Sequence, residues 1–159
     1  MAIATKTDGT LWTWGSGDSG QLGINSPNYS RSSPTQVGTN TNWSQISLCN
    51  NSIIGLKTNG TLWAWGRNAQ GEAGLNDSVS RSSPTQVGSN TNWDLVGSFG
   101  YNGMAIKTDG TLWTWGRNNY GTLGDNSVVN KSSPVQIGSN INWTSVSVGV
   151  YHSMAITTN

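Results

Sequence analysis

Apolar and polar residues alternate with a period of two in short stretches along this chain. In the stretch from Leu112 to Trp115, the tryptophans share one face and Leu112 and Thr114 share the other, which is typical of a half-buried β-strand. No window of about eleven residues shows the 3.6-residue period of an amphipathic helix. The pattern therefore predicts an all-β protein of short strands.

A unit of about 50 residues occurs three times, which is a period typical of stacked repeats. Residues 57–106 and 107–156 align without a gap and share more than half of their residues, and residues 6–56 carry the same unit with one extra residue. We predict that residues 1–159 form a single repeat array. Each unit contains three tryptophans at fixed positions, and we expect these side chains to pack between neighbouring units: Trp12, Trp14, Trp43, Trp63, Trp65, Trp93, Trp113, Trp115 and Trp143.

Each unit is predicted to supply four strands. In the third unit, these are the Trp strand, a short strand at 134–138 whose proline suits a sheet edge, and strands at 143–149 and 153–156. Residues 116–131 are expected to form an exposed loop. Asp109 and Gly110 are predicted to form a type I′ hairpin turn, since such a turn requires positive φ at both central residues. Four short antiparallel strands, repeated, predict the stacked blades of a β-propeller.

The order of residues in the unit resembles the repeat of the regulator of chromosome condensation family, over the whole chain. The resemblance is carried by Trp143, Val146, Gly149, His152, Ser153, Ala155, Ile156, the run 109–116, Asn118, Gly121, Leu123 and Gly124. Phe99 and Cys49 depart from the pattern at the position of Gly149, and Asn102 and Ser52 depart from it at the position of His152. The resemblance implies a β-propeller, usually of seven blades, whose function resides in loops at its two ends. It also implies that nucleotide exchange on a small GTPase would need specific loop insertions, which this sequence does not show.

Three units are fewer than the roughly four blades that a closed propeller needs. An open arc would leave apolar blade faces exposed, so we expect closure by oligomerisation. Two copies would give a six-bladed ring, three copies would give nine blades, and a fragment of a longer propeller is the alternative. The strand at residues 3–5 is equivalent to 104–106 and 154–156, so one copy of that strand would be surplus in a closed ring.

Composition excludes several classes of function. Only 9% of the residues are charged and the net charge is +1, which provides no electrostatic footprint for nucleic acid or a membrane surface. No segment is long and apolar enough to cross a membrane. The low charge and the abundance of Ser, Thr, Asn and Gly favour an extracellular or virion setting.

Candidate catalytic chemistry is sparse. His152, the single histidine, falls at a repeat position and is expected to have a structural role, and Cys49 has no neighbouring cation that would activate its thiol. Of the seven acids, Asp8 and Asp109 are turn residues and the others fall at non-equivalent positions. We predict no enzyme activity, no catalytic residue, no metal and no cofactor.

The recurring cations and the variable loops are the candidate recognition residues. The loops at 17–29, 68–80 and 118–130 differ most between units, and loops on a rigid scaffold are common recognition sites. In a ring, the recurring cations would form circles of positive charge; alternatively, each one packs over a Trp or pairs with a loop carbonyl. The candidate partner-binding residues are Tyr29, Arg31, Arg67, Arg81, Arg117, Tyr120 and Lys131.

Two functions remain compatible with the sequence. The first is a non-catalytic propeller that binds a protein or a glycan through its blade loops. The second is a structural component of a virion or cell surface whose main partner is itself, as a homodimer or a homotrimer.

Overall fold

A computed structural model describes residues 1–26, 29–149 and 151–158 of the chain. Residues 27 and 28 of the first predicted loop lie outside this part. In the described residues all regular structure is β, and no helix is long and apolar enough to span a membrane. The predicted all-β class is therefore confirmed.

Thirteen strands occur in the described residues and form four antiparallel sheets. The first sheet consists of β1 (Ala2–Thr5), β2 (Leu11–Gly15) and β3 (Arg31–Gln36). The second consists of β4 (Trp43–Cys49), β5 (Ser52–Lys57), β6 (Leu62–Gly66) and β7 (Arg81–Gln86). The third consists of β8 (Trp93–Phe99), β9 (Asn102–Lys107), β10 (Leu112–Gly116) and β11 (Lys131–Gln136). The fourth consists of β12 (Trp143–Val148) and β13 (Ser153–Thr157).

The sheets are offset from the sequence units. Residues 57–106 supply the two outer strands of the second sheet and the first two strands of the third. Two sheets are therefore complete four-stranded blades, while the first sheet lacks an innermost strand and the fourth lacks two outer strands. Since each unit bridges two sheets, the covalent chain itself ties neighbouring blades together.

The first strands of the second, third and fourth sheets lie side by side, and polar side chains join β4 to β8. The Gln45 side-chain amide donates to the Asp94 carbonyl at 2.8 Å and accepts from the Val96 amide at 3.2 Å. Further along β4, the Ser47 hydroxyl accepts a hydrogen bond from the Ser98 amide at 2.8 Å. These bonds satisfy backbone groups at the inner edge of β8, which would otherwise be unpaired.

The hairpin turns differ from the predicted type I′ geometry. Gly110 has a φ of 76°, but Asp109 is not among the described residues with positive φ, so the type I′ prediction is wrong. The Gly110 amide donates to the Lys107 carbonyl at 2.8 Å, and the Lys107 amide donates to the Thr111 carbonyl at 3.0 Å. This is a three-residue loop, in which a type I turn is followed by glycine in the left-handed region.

The proline strand is also displaced from its prediction. The structure places β11 at Lys131–Gln136 rather than at 134–138, with an irregular register between Thr114 and Gly116 of its partner β10. Pro134 lies within β11, and β11 is the edge of its sheet. The edge position accommodates proline because its missing N–H costs no ladder hydrogen bond there.

The hydrophobic core lies between the sheets, in three clusters. The first and second sheets enclose Leu11, Val37, Trp43, Ile53 and Trp65. The second and third enclose Ile54, Leu56, Leu62, Ala64, Ala73, Val87, Trp93, Ala105 and Trp115. The third and fourth enclose Met104, Ile106 and Leu112, against half-buried Trp143, Val146, Val148 and Ala155. Each sheet therefore buries its faces only against its neighbours.

The predicted exposed loop at 116–131 is exposed at residues 119–121 and 128–129, but Gly116, Asn118 and Leu123 are buried, so the prediction is wrong at those three residues. Asn118 and Leu123 are fully enclosed, whereas Val128 and Val129 are exposed. The Asn118 side chain holds the loop by accepting from the Leu123 amide at 3.0 Å and donating to loop carbonyls. A buried segment without regular structure needs such side-chain partners for its backbone.

The equivalent loops of the first two units fasten one sheet to the next. The Trp65 indole donates to the Gln21 carbonyl, and the Trp115 indole donates to the Glu72 carbonyl, both at 3.0 Å. Each bond runs from the second tryptophan of a Trp-x-Trp pair to a loop of the preceding sheet. These loops therefore belong to the blade interfaces.

Candidate functional site: an arginine and tyrosine cluster

The two ends of the sheets have different chemistry. Gly66 pairs with both Ser52 and Arg81, so the turn between β4 and β5 lies at the same end as the start of β7. We call this the turn end; in the third sheet it is marked by Gly116, opposite Asn102 and Lys131. We call the other end, with the three-residue loops, the hairpin end. By this register the predicted cations lie at the turn end: Arg31, Arg67, Arg81, Arg117 and Lys131.

The hairpin end carries one polar network that is repeated in all three units. In the third unit, the Thr111 hydroxyl donates to the Asp109 carboxylate at 2.6 Å and accepts from the Trp113 indole at 2.9 Å. The Lys107 ammonium lies 4.0 Å from the centre of a Trp113 ring. These lysines were not among the sequence-predicted residues, although one precedes every hairpin turn: Lys6, Lys57 and Lys107. Because the network is the same in every unit, we assign it to folding.

Acid is expected to destabilise the fold through this network. Hydrogen bonds from Thr10 and Thr111 to the carboxylates of Asp8 and Asp109 hold the pKa of each below its ordinary value. A carboxyl group whose pKa is lower in the folded state than in the unfolded state stabilises the fold at pH values above its unfolded pKa. This contribution is lost as the pH falls through the folded pKa. We therefore expect the urea concentration at the midpoint of unfolding to decrease once the pH is lowered below about 4.

The matched variant is Asp8→Asn with Asp109→Asn, because Asn59 occupies this position in the second unit and accepts from the Thr61 hydroxyl at 2.7 Å. At pH 7 the double variant should have nearly the same urea midpoint as wild type. In acid its midpoint should decrease less than the wild-type midpoint does. An unchanged acid response would contradict the assignment.

At the turn end, two arginines and three tyrosines gather into one surface, which we call the Arg–Tyr cluster: Arg67, Tyr101, Arg117, Tyr120 and Tyr151. The guanidinium carbons of Arg67 and Arg117 each lie 5.3 Å from the centre of the Tyr101 ring. Tyr120 lies 5.9 Å from Arg117 and packs edge-on against Tyr151 with 5.5 Å between ring centres. Tyr120 is 68% exposed and Tyr151 is 64% exposed. Large aromatic rings that point into solvent beside arginines are typical of interaction surfaces.

The backbone beneath the cluster is firmly held. The Arg117 amide donates to the Tyr101 carbonyl at 3.0 Å, and the Arg117 carbonyl accepts from the Thr122 hydroxyl at 3.0 Å and from the Asn102 side-chain amide. Arg117 is thereby fixed on the third sheet while its guanidinium reaches the surface between two rings. A binding residue on a rigid support loses little entropy when a partner docks.

The remaining predicted cations are held by local partners. Arg81 pairs with Asp77 at 2.5 Å and donates to the Val79 carbonyl at 2.6 Å, while Lys131 lies 3.5 Å from the Asp125 carboxylate. Arg31 donates to the adjacent Ser30 carbonyl at 3.2 Å, and Tyr29 is exposed on the first sheet's loop. Of the sequence-predicted residues, the structure brings Arg67, Arg117 and Tyr120 together. Tyr101 and Tyr151 were missed, although tyrosine recurs at this position in two units.

Cys49 and His152 each lie against neighbouring backbone. Burial raises the pKa of the Cys49 thiol to about 11, and the thiol donates to the Gly100 carbonyl at 3.2 Å. The His152 ring covers Gly149, where a Cβ would come within 2.4 Å of the imidazole. In the described part of the chain, no three His, Cys, Asp or Glu side chains are grouped so that they could hold a metal ion.

The tryptophans are divided between full burial and the rims of the interfaces. Trp43, Trp65, Trp93 and Trp115 are buried, and Trp12, Trp14, Trp63, Trp113 and Trp143 are half-buried. The rings of Trp43 and Trp65 have centres 5.6 Å apart, and those of Trp93 and Trp115 have centres 6.5 Å apart. In the second and third sheets the rings therefore contact one another and also the side chains of the preceding sheet.

Sequence comparison identifies the repeat. The family model for the regulator of chromosome condensation (RCC1) repeat matches residues 8–53, 59–96 and 109–156, which is most of the chain. The chain is 39% identical over 71 residues to an X-linked retinitis pigmentosa GTPase regulator homolog from Caenorhabditis elegans. It is 31% identical over 77 residues to a probable E3 ubiquitin-protein ligase HERC3 from Homo sapiens. The matches cover 43% and 47% of this chain but only 5% and 7% of those proteins.

Structural comparison identifies the fold. Human WBSCR16 superposes with a TM-score of 0.83 at 19% identity, and Kap60-bound yeast RCC1 (Prp20) superposes with 0.84 at 17%. Prp20p from Saccharomyces cerevisiae, studied with Gsp1p and histones, gives 0.79 at 21%. Each match covers 99% of this chain and 40–42% of the other chain. The predicted β-propeller fold is confirmed, and this chain spans about two fifths of the length of these propellers.

Proposed function

Because this chain belongs to the RCC1 repeat family, we propose that it is a propeller segment that binds a partner protein through the Arg–Tyr cluster. The observation that carries the proposal is the pair of solvent-exposed tyrosines, Tyr120 and Tyr151, packed beside Arg117 on a rigid sheet end. The repeated parts of the unit are used in the blade interfaces and in the hairpin network. The cluster includes positions at which the units differ, since Ser16 stands in the first unit where Arg117 stands in the third, and Gln70 stands in the second where Tyr120 stands.

The residue types in the cluster support a protein partner. Tyrosine and arginine are enriched in interfaces and in their energetic hot spots, because they bury a large area with few rotatable bonds or form several hydrogen bonds at once. Two structural neighbours are described by their protein partners, Kap60 in one case and Gsp1p and histones in the other. We extend only the general property of binding a protein to this chain.

The proposed role is non-catalytic. A thiol whose pKa is raised to about 11 is protonated at neutral pH and is a poor nucleophile. The HERC3 match spans 7% of that ligase, so its activity is not transferred to this chain. A glycan ligand is the alternative occupant of the same surface, since sugar rings also pack on exposed aromatic rings.

The double variant Tyr120→Ala with Tyr151→Ala is expected to weaken partner binding about tenfold or more, as truncated interface hot spots do. Photo-crosslinking from position 120 would identify the partner, and calorimetry with both purified proteins would give the affinities. Tyr29→Ala is the matched control, because Tyr29 is an equally exposed tyrosine outside the cluster. If the double variant bound the partner as tightly as wild type, or if Tyr29→Ala caused the same loss, the cluster would not be the binding site.

A second role as a self-assembling structural part is favoured by the fourth sheet. Met154 and Ile156 on β13 are 59% and 62% exposed, whereas Met104 and Ile106 at the same positions of β9 are each 3% exposed. A groove of about 310 Å³ runs beside them, lined by Leu112, Leu123 and Ala155 among others. In the interior sheets the same positions are covered by a following blade. A second copy of the chain, as in a homodimer or homotrimer ring, would supply that cover.

A further inference from the structure

One pair of positions at the turn end changes together from unit to unit. In the second unit, Arg67 lies 3.6 Å from the carboxylate of Glu72, which is fully buried. In the first unit, the equivalent residues are Ser16 and Gln21, and the Gln21 amide donates to the Ser16 hydroxyl at 3.4 Å. The charged pair and the neutral pair are each internally matched. Neither leaves an uncompensated charge.

The third unit breaks this matching. Arg117 keeps the cation of Arg67, but Thr122 stands where Glu72 stands in the second unit. The Thr122 hydroxyl donates to the Arg117 carbonyl and provides no negative charge for the guanidinium. Within residues 1–26, 29–149 and 151–158, the Arg117 guanidinium forms no ion pair; its contacts are the rings of Tyr101 and Tyr120.

The space in front of Arg117 is small and partly enclosed. It is a cavity of about 10 Å³ lined by Tyr101, Asn102, Arg117, Asn119, Tyr120, Thr122 and Tyr151. A volume of this size holds roughly one water-sized group. Rings on its walls exclude solvent from one side of the guanidinium, which strengthens a charge-assisted hydrogen bond formed there.

We propose that Arg117 receives the carboxylate of an Asp or Glu side chain on the partner protein, in the position that Glu72 occupies beside Arg67. The exposed rings of Tyr120 and Tyr151 would then pack on the residues that flank this acid. This inference rests on the proposed function and adds the chemistry of the partner to it. It makes the unmatched Arg117 the specificity-determining residue of the surface.

The charge of the cluster argues against a phosphoryl ligand. A phosphoryl group carries close to two negative charges at neutral pH, whereas the cluster provides one uncompensated guanidinium because Arg67 is already paired with Glu72. A sialylated glycan also carries a single carboxylate, and the binding test below distinguishes it from an acidic side chain of a protein. A single carboxylate matches the one uncompensated positive charge of Arg117.

The decisive variant is Thr122→Glu, which restores within the third unit the carboxylate that the second unit has. The new carboxylate should pair with Arg117 and exclude an external acid, without removing the arginine or the tyrosines. Thr122→Gln is the matched control, because glutamine has nearly the same shape without the charge and stands at the equivalent position as Gln21. Arg117→Gln, which removes the cation, provides a second variant if Thr122→Glu does not fold.

The probe is an array of short immobilised peptides, each with one central Asp or Glu, beside the same peptides with Asn or Gln and with phosphoserine. Wild type and Thr122→Gln are expected to prefer acidic peptides over their amides. Thr122→Glu and Arg117→Gln are expected to lose about tenfold or more in affinity, in line with the loss of a hydrogen bond to a charged group. The same ratios should appear with the partner identified by crosslinking from position 120.

Several results would overturn the inference: no preference for acidic peptides over their amides, a stronger preference for phosphoserine, or full binding by Thr122→Glu. Binding of sialylated glycans that is lost in Arg117→Gln would overturn it in favour of a carbohydrate ligand. If the tyrosine double variant loses the partner protein but Thr122→Glu retains it, the proposed function stands and the carboxylate assignment fails.

Discussion

Replacing Trp65 with Ala is expected to lower the free energy of unfolding by about 3–5 kcal/mol, as other buried Trp→Ala and Phe→Ala changes do. Trp65 is 0% exposed between the first and second sheets. Its indole donates to the Gln21 carbonyl, so truncation also leaves a buried acceptor unpaired. Urea unfolding followed by far-UV circular dichroism would measure the loss.

The equivalent tryptophan of the first unit provides the control for this change. Trp14 precedes a Gly of the same motif but is only half-buried, since its sheet has a neighbour on one side only in the described structure. Trp14→Ala, measured at a concentration where the protein is monomeric, is therefore expected to cost clearly less than Trp65→Ala. Equal losses would show that burial between blades does not decide the contribution of this tryptophan.

Substituting Ile156 with Asp is expected to convert a self-associated protein into monomers. Light scattering should give the mass of a dimer for wild type, or of a trimer if nine blades close the ring, and the mass of one chain for the variant. The physical reason is that association would bury Ile156 and Met154 as Ile106 and Met104 are buried, and an unpaired carboxylate in such a site is costly. Removing residues 143–159 should likewise abolish assembly, because it removes β12 and β13.

Val128→Asp is the control for Ile156→Asp, because Val128 is 65% exposed and does not line the groove beside β13. It should leave the mass unchanged. A wild-type protein that remains monomeric as its concentration rises would contradict closure by self-association. It would favour a blade from elsewhere in a longer propeller as the cover of β13.

The elements that the sequence predicted are those with a strong local signal. The alternation from Leu112 to Trp115 depends only on the two-residue period of a strand, and β10 forms there. Repetition predicted the blade arrangement, since a unit that cannot bury its own faces must stack on a copy of itself. The RCC1 resemblance agreed with both and was confirmed by the family match.

The mistaken predictions concern segments whose conformation is set by neighbours in space. The Asp-Gly pair predicted a two-residue type I′ turn. Because Thr5 pairs with Leu11 across β1 and β2, the loop has three residues instead of two, and glycine occupies the left-handed position. For the loop after β10, the sequence predicted a polar, exposed segment. It is partly buried because Asn118 and Leu123 are covered by the sheet and by the rest of the loop, which no local pattern reveals.

The sequence by itself determined the strands, their repetition and the presence of recurring arginines, because these follow from side-chain period and from copying of one unit. Only the tertiary structure decided that Arg67, Arg117 and Tyr101 meet at one point, since they come from two different sheets. It also decided that Arg67 is neutralised, because the 3.6 Å between its guanidinium and the enclosed Glu72 carboxylate is set by how the loop between them packs. A charge alone is visible in a sequence; whether that charge is paired depends on distances that packing sets.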